Sequence, residues 1–377
     1  LVSAAGQPGC SRSCNGWGQP VLNLNFTDRE ALLSQLASFL VTLAAGIILI
    51  YFVILLGGGN PSVAAGALIA GSLSGSYSQA ETLIRACPLL LAGLGLAVAF
   101  RAGVWNIGAE GQLYMGALAV TALAGLLGDM PSLIAIPLAF AAAFIAGGFW
   151  AFIAAFLRTK RGVQEVISTI MLNFLAIQIV SAAVHGPLRE PTGQFPYSDT
   201  IGVSLTLARL IPPTRFHTGV IIALVIAFIV WVMLFRTLWG FKLRTVGSAP
   251  EAAKHAGIPT ERTIWSAMFI SGGLAGLAGA VELMGVTHIL FENFSPGYGY
   301  TAIAVALLGA LHPVGIVASG LLFGALQAGA SAMQRDAGIS EVIVLVVQGI
   351  IIFAVALQSA RRLRKKAALQ ARGEAEV

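Results

Sequence analysis

Carboxylate and amide side chains interrupt the apolar stretches of this chain in three groups, each with aromatic residues nearby. Such a combination can bind the hydroxyls and the ring of an uncharged polar molecule. Any single member could instead bond to a neighbouring helix, because polar groups in a bilayer usually face one another or a cavity. The polar candidates are Asn106, Glu110 and Gln112; Glu165, Asn173 and Gln178; and Glu282, Glu292, Asn293, Tyr298 and Tyr300. The aromatic candidates are Trp105, Tyr114, Phe174 and Phe294.

Other chemistries have little support in the sequence. The five histidines are scattered, and no Ser-His-Asp or Cys-His set occurs at a recognisable spacing. Cys10, Cys14 and Cys87 are too few and too dispersed for a disulfide framework, and we expect no metal site. No lysine completes a G-x-x-x-x-G-K-[ST] loop, so we expect any ATP chemistry to be performed by another protein.

The composition of the chain is that of a protein embedded in a lipid bilayer. Of its 377 residues, 57% are hydrophobic and only 10% are charged, whereas soluble domains carry about a quarter charged residues. The apolar segments are continuous and lack the alternation of a membrane β-barrel, which predicts an all-α, polytopic helix bundle. The net charge of +6 therefore indicates basic membrane flanks, and no nucleic-acid partner is expected.

About ten segments are long or apolar enough to be counted as transmembrane helices. The eighth is short, which predicts a broken helix, and residues 60–77 are read as an interfacial or re-entrant piece. Residues 1–30 are predicted to form a disordered leader, residues 31–360 the transmembrane domain and residues 361–377 a basic cytoplasmic tail. The segments are 36–56, 82–100, 109–128, 132–157, 165–184, 217–236, 263–284, 298–311, 314–333 and 340–358.

The distribution of basic residues predicts an orientation. Most of the 22 Lys and Arg residues fall on one side when both termini are placed in the cytoplasm. The largest external loop is then 185–216, whose prolines and glycines indicate a structured surface loop. Small residues at four-residue spacing, such as Gly272 and Gly276, predict close helix packing.

One cytoplasmic connection carries the signals of a short helix over residues 249–256. Ser248 and Glu251 match a capping box, Pro250 suits the first turn, and Gly257 suits a left-handed stop. Its face is rich in alanine, including Ala252 and Ala253. Such a helix is either a capped surface turn or an element that docks into another protein.

The segment "EAAKHAGI" resembles the EAA---G coupling element of ABC importer permeases. The stretches "FRAGVWNIGAEGQLYMGA", "KRGVQEVISTIMLNF" and "GYGYTAIAVALLGALHPVGIVASGLLFGAL" resemble the nucleoside and simple-sugar branch of bacterial permeases, related to the ribose and branched-chain amino acid permeases. The resemblance covers residues 36–358. It implies that Ser248, Pro250, Glu251, Ala252, Ala253 and Gly257 couple the chain to an ATPase.

The resemblance also implies a multi-pass permease subunit in the bacterial inner (plasma) membrane. Its partners would be an ABC ATPase subunit, a second and different permease subunit, and an extracytoplasmic substrate-binding protein. No cofactor would be bound directly, since ATP would be used by the ATPase, and the chain would not itself be an enzyme. A neutral solute is expected, with nucleosides favoured, a simple sugar as the alternative, and a self-sufficient secondary transporter less favoured.

Two local expectations concern the polar groups. The stretch Phe100–Leu118 should be a helix break at the inner mouth of the bundle, with Asn106 capping the next helix and Glu110 in its first turn. Residues 296–299 should begin a half-helix that points backbone N–H groups into the bundle. All candidate path residues, from Trp105 to Tyr298, are expected to line or support a translocation path.

Overall fold

A computed structural model describes residues 51–52, 54–55, 60–191, 193–338, 340, 342–343, 345–346 and 348–349. Within this part of the chain the regular elements are helices, and the only β-structure consists of isolated bridges. Seven of these helices are long and apolar enough to cross a membrane by length and composition. The predicted all-α class is confirmed for the described residues, whereas the number of about ten stays a prediction.

The helices follow one another in this order, with a single π-helical turn, Leu283–Thr287, after α9. They are α1 (Pro61–Leu73), α2 (Gly75–Arg101), α3 (Ala109–Leu127), α4 (Ser132–Arg161), α5 (Glu165–His185), α6 (Gly219–Arg236), α7 (Leu238–Ser248), α8 (Pro250–His255), α9 (Thr260–Glu282), α10 (Tyr298–Leu308) and α11 (Pro313–Ala337). Eight predicted segments coincide with helices α2 to α6, α9, α10 and α11. The first and last predicted segments lie mostly outside the described residues, as do the proposed leader and tail.

The centre of the bundle is built around helix α9, which packs against α2, α3 and α4. Glycines let these backbones meet: a Cβ added to Gly276 would overlap the carbonyl oxygen of Ala143 in α4, and one added to Gly279 would overlap that of Leu113 in α3. Close approach of this kind gains dispersion energy where lipid offers no hydrophobic driving force. The predicted small-residue packing is therefore confirmed.

The two ends of the bundle have different structures. One end, which we call the α8 end, carries α7 and α8 between α6 and α9. The other, the loop end, is covered by residues 186–218, which fold back on the end of α9 through Leu207 N to Met284 O (2.9 Å) and Ile201 N to His288 O (3.0 Å). Ile201 and Leu207 are buried there, so this long connection is structured, as its sequence predicts.

Two features of the fold differ from the sequence prediction or extend it. Helix α7 lies in the connection between α6 and α9, where the sequence predicts only the short helix 249–256; Thr237 caps α7 by accepting a hydrogen bond from Gly240 N (3.1 Å). The apolar piece 60–77 divides into α1 and the start of α2 at Ser74. Helix α1 packs along α11, with Ala64, Ala67 and Met333 in their shared core.

Candidate functional site

The connection between α2 and α3 descends from the α8 end into the middle of the bundle. Arg101 remains at that end, where its Nε donates to Leu311 O (2.8 Å). Asn106, five residues later, donates to Ser271 Oγ (2.9 Å). Ser271 lies eleven residues into α9, about 16 Å along its axis. The predicted helix break is confirmed, but its polar residues lie deeper than the mouth where the sequence placed them.

Three buried amides hold this break in place. Asn106 and Gln112 are joined by two hydrogen bonds of 3.0 and 2.9 Å. Asn173 of α5 accepts from Gly111 N (2.8 Å) and donates to Ile107 O (2.9 Å). All three amides are fully buried or nearly so. Two of the predicted polar groups therefore form one network, and its bonds are made within the chain.

Asn106 does not cap helix α3 in the expected way. The N-cap position is Gly108, which makes no side-chain cap bond, and Asn106 Oδ1 instead accepts from Gly108 N (2.9 Å) before the helix begins. The prediction of an Asn106 N-cap is wrong because the amide is already engaged by Gln112 and Ser271.

Glu110 lies in the first turn of α3, as predicted, but its carboxylate caps a different helix. Its Oε2 accepts from Gly299 N (2.6 Å) at the start of α10. Ser295 Oγ accepts from Gly297 N (3.2 Å) and Tyr298 N (3.1 Å). The predicted half-helix with inward N–H groups is confirmed, and the groups that satisfy them belong to the chain itself. Glu110 is buried, with 2% of its surface exposed.

Trp105 and Glu165 lie together nearer the α8 end. Glu165 pairs with Arg158 (2.9 Å), and its Oε1 lies 3.5 Å from Trp105 N. The Trp105 ring packs on Phe100 at a centroid distance of 4.9 Å and leaves about half of its surface exposed. Trp105 therefore presents a ring face to its surroundings, as do the exposed side chains of Phe174 and Gln178 in α5.

The third predicted group does not form one cluster. Glu282 is buried at the end of α9 and makes no hydrogen bond in the described part of the chain. Asn293 is exposed in the following connection, with a left-handed φ of 55°. Tyr298 is buried at the start of α10. Burial divides the group, since Glu282 and Tyr298 lie inside the bundle whereas Asn293 lies at its surface.

A charged cluster at the loop end was missed by the sequence reasoning. Glu81 of α2 pairs with Arg85 (3.0 Å) and with Arg215 (2.8 Å), which lies 134 residues further along the chain. The i, i+4 pair of Glu81 and Arg85 was a readable signal for one half of this cluster. The partner from the long loop had no local signal. This triad ties the loop end to α2.

His217 lies beside this cluster and is fully buried before α6. Its Nδ1 accepts from Gly219 N (3.1 Å), so the ring is held in one orientation. Burial, followed by the positive charges of His288 and Arg215, lowers the pKa of His217 to about 4. Protonation of His217 is therefore less favourable in the folded protein than in the unfolded chain, where the imidazole has its ordinary pKa.

This difference predicts a pH-dependent stability. Because the folded pKa lies below the unfolded one, stability is full above about pH 6.5 and falls as the pH drops toward 4, by at most about 1.4 kcal/mol per unit. We expect the thermal midpoint of the detergent-purified protein to fall less steeply from pH 7 to 5 in His217→Gln than in the wild type. His255→Gln, which changes an exposed ring, is the control. Equal slopes in all three proteins would contradict the assignment.

Helix α8 forms close to the predicted short helix, but the capping box does not. Ser248 is the last residue of α7, and its Oγ donates to Thr245 O (3.2 Å), so it cannot cap α8 with Glu251. The predicted stop is confirmed: Gly257 has φ +75°, and Ile258 N donates to Ala253 O (3.0 Å) in a Schellman motif.

The surface of α8 is mostly free. Ala253 is buried, whereas the neighbouring positions, including Pro250, Glu251 and Ala252, are exposed. Gly247, at the end of α7, lies directly against the backbone of Arg101, where an added Cβ would overlap the carbonyl oxygen. The helix is therefore anchored by Ala253 and presents Ala252 outward.

Comparison with known proteins agrees with this architecture. Residues 78–356 match the family described as "Branched-chain amino acid transport system / permease component". The chain is 36% identical over 326 residues to the glucose ABC transporter permease protein TsgB13 of Haloferax volcanii, covering 83% of this chain and 85% of the relative.

Two relatives from bacteria are similarly close. The guanosine ABC transporter permease protein NupP of Bacillus subtilis is 36% identical, over 89% of this chain and 98% of its own length. The nucleoside ABC transporter permease protein NupB of Lactococcus lactis is 33% identical, over 89% and 93%. No solved structure matches the chain. The chain therefore belongs to the family of permease components of the branched-chain amino acid transport systems.

Proposed function

We propose that this multi-pass membrane protein is the permease subunit of an ABC importer for a neutral solute, with ATP hydrolysed by a separate subunit. The observation that carries the proposal is α8, a short helix with Pro250, Glu251 and Ala252 exposed and Ala253 buried beneath them, placed in the connection between the long helices α6 and α9. Such a helix suits docking into a groove on a partner. The relatives, which are named as ABC transporter permeases, support the same assignment.

Nucleosides are the solute that we favour, and a simple sugar is the second candidate. Relatives named for guanosine and nucleoside transport support the first, and a relative named for glucose supports the second. Exposed aromatic rings at Trp105, Phe174 and Tyr300 favour a ligand with a flat ring.

The remaining assignments extend this proposal. The α8 end faces the cytoplasm, and both termini are cytoplasmic. The loop end receives a substrate-binding protein. A second, different permease subunit completes the path in the bacterial plasma membrane. Asn106, Glu110, Gln112 and Asn173 position the walls of the path, together with Glu165, Glu282, Asn293 and Tyr298, while Trp105 faces it. The polar network in the middle of the apolar bundle supports these roles.

The coupling role is tested by changing one exposed residue of α8. Ala252→Arg adds bulk and charge where the ATPase would dock, and we expect solute uptake and transport-linked ATP turnover to fall together by about tenfold or more. Ala252→Ser keeps the residue small and should retain both activities. Membrane insertion, measured by the amount of folded protein in solubilised membranes, should be the same for both variants. Undiminished uptake in Ala252→Arg would indicate a self-sufficient transporter instead.

A further inference from the structure

One face of helix α5 is left open along the whole length of the helix. Six residues at alternating spacings of four and three fall within about 40° on either side of one direction around the axis. Five are exposed and the sixth, Ser181, is partly exposed. We call this row the α5 stripe; it consists of Ile167, Met171, Phe174, Gln178, Ser181 and His185.

The chemistry of the α5 stripe changes along the helix. Its half nearer the α8 end is apolar, and its half nearer the loop end is polar. Gln178 lies seven residues before the end of α5, about 10 Å inside the bundle. It makes no hydrogen bond in the described part of the chain, although it is exposed. An amide facing lipid at that depth would be left unsatisfied, so the polar half of the stripe faces a polar medium.

A carboxylate from another element joins the polar half of the stripe. Glu292, which follows the π-helical turn, accepts from Ser181 Oγ with its Oε1, and the same atom lies 3.6 Å from His185 Nδ1. His185 Nδ1 also lies 2.9 Å from Ser181 O. The Oε2 atom of Glu292 has no hydrogen-bond donor within the described residues, and the side chain is 42% exposed. This oxygen can therefore accept from a ligand.

Aromatic faces lie next to the polar half. Phe174 is exposed one turn from Gln178. Tyr300 at the start of α10 is also exposed, and its hydroxyl lies 3.4 Å from the Nδ2 of Asn173, the residue before Phe174. Aromatic faces attract flat rings, whereas amides and carboxylates bind hydroxyl groups and base edges. Along α5 the aromatic face of Phe174 is thus followed by the hydrogen-bonding groups of Gln178 and Glu292.

We propose that the α5 stripe is the solute-selecting surface of this permease, on which Phe174 stacks the base of a nucleoside while Gln178 and Glu292 bind its polar edge and its ribose hydroxyls. The proposal rests on the proposed function, and it names ribonucleosides with an intact 2′,3′-diol as the class selected. A carboxylate is suited to a diol because one group accepts from both hydroxyls. Removing either hydroxyl leaves that acceptor unpaired, which is how a polar site rejects an analogue.

The test uses the assembled transporter in vesicles, with its ATPase and a binding protein loaded beforehand with one solute. Translocation rates are compared for guanosine and for 2′,3′-dideoxyguanosine, so that the preference of the binding protein does not enter. We expect Glu292→Gln to reduce the ratio of the two rates by about tenfold and Gln178→Leu to slow both nucleosides. The controls are Asp336→Asn, an exposed carboxylate in the last turn of α11, and Ala182→Leu, an exposed position beside the stripe.

The outcomes separate this inference from the proposed function. If wild-type vesicles show no ATP-driven uptake, the proposed function fails. If uptake is ATP-driven but Glu292→Gln leaves the rate ratio unchanged, the selecting role of the α5 stripe is overturned and the permease assignment stands. An equal loss for both solutes, together with lost stimulation of ATP turnover by the binding protein, would place Glu292 in a docking surface and would also overturn it.

Discussion

Replacing Gly116 by valine is expected to prevent the protein from assembling its helix core. A Cβ at Gly116 of α3 would lie 2.5 Å from Gly276 Cα and closer still to the carbonyl oxygen of Gly276. Backbone atoms of two packed helices cannot move apart locally, because Gly276 also meets Ala143 of α4 on its other side. We expect a loss of about 3 kcal/mol or more. The readout is the yield of monodisperse protein and its thermal midpoint in detergent.

The same helix supplies a matched control for this substitution. Gly125 lies nine residues further along α3, and a Cβ there would meet no atom within 4 Å. Gly125→Val should therefore leave the yield and the thermal midpoint close to the wild-type values. If both variants behave alike, helix propensity and not the crossing of α3 and α9 limits stability, and the packing argument fails.

Removing the carboxylate of Glu110 is expected to loosen the start of α10. In Glu110→Ala, the buried N–H of Gly299 loses its acceptor. The cost of losing this hydrogen bond to a carboxylate and of leaving the donor unpaired is about 2 to 3 kcal/mol. We expect a lower thermal midpoint and a parallel loss of uptake. The midpoint is measured in detergent and the uptake in vesicles, with the amount of inserted protein equalised.

Glu110→Gln separates a positioning role from direct solute contact. Glutamine keeps a carbonyl oxygen that can accept from Gly299 N, so it should restore most of the stability and most of the uptake. A solute-binding role would show a different pattern, in which Glu110→Gln is as stable as the wild type yet changes the preference between nucleosides. That second result would contradict the view that Glu110 acts through α10.

Much of the fold could be predicted because hydropathy alone identifies the long helices. Helix α7 was missed for a physical reason: it is short and carries Lys242 and Arg244, so no span-length window detects it. A helical pattern was nevertheless present, since Gly240, Leu243 and Val246 are three residues apart and buried. The cap residue Thr237 was a second signal that could have been used.

The candidate site was predictable by residue type but not by partner. Glu110 was correctly placed in the first turn of α3, yet its bond partner Gly299 lies 189 residues away and leaves no local trace. The capping box failed because α7 and α8 are separated by one residue, Ala249, which leaves Ser248 inside the preceding helix. A capping signal in the sequence predicts the start of a helix only when its residues do not belong to a preceding helix.

The contact between Gly247 and Arg101 bears on how a displacement of α8 would spread. No side chain lies between these two backbones, so α7 and the end of α2 are in direct backbone contact and have little room to move relative to each other. If a partner displaces α8 as proposed, this contact would carry the movement to residues 102–108, the segment that leads to Asn106. In such a movement the polar segment near mid-depth would shift, because the glycine-packed crossing of α3, α4 and α9 holds the surrounding helices in place.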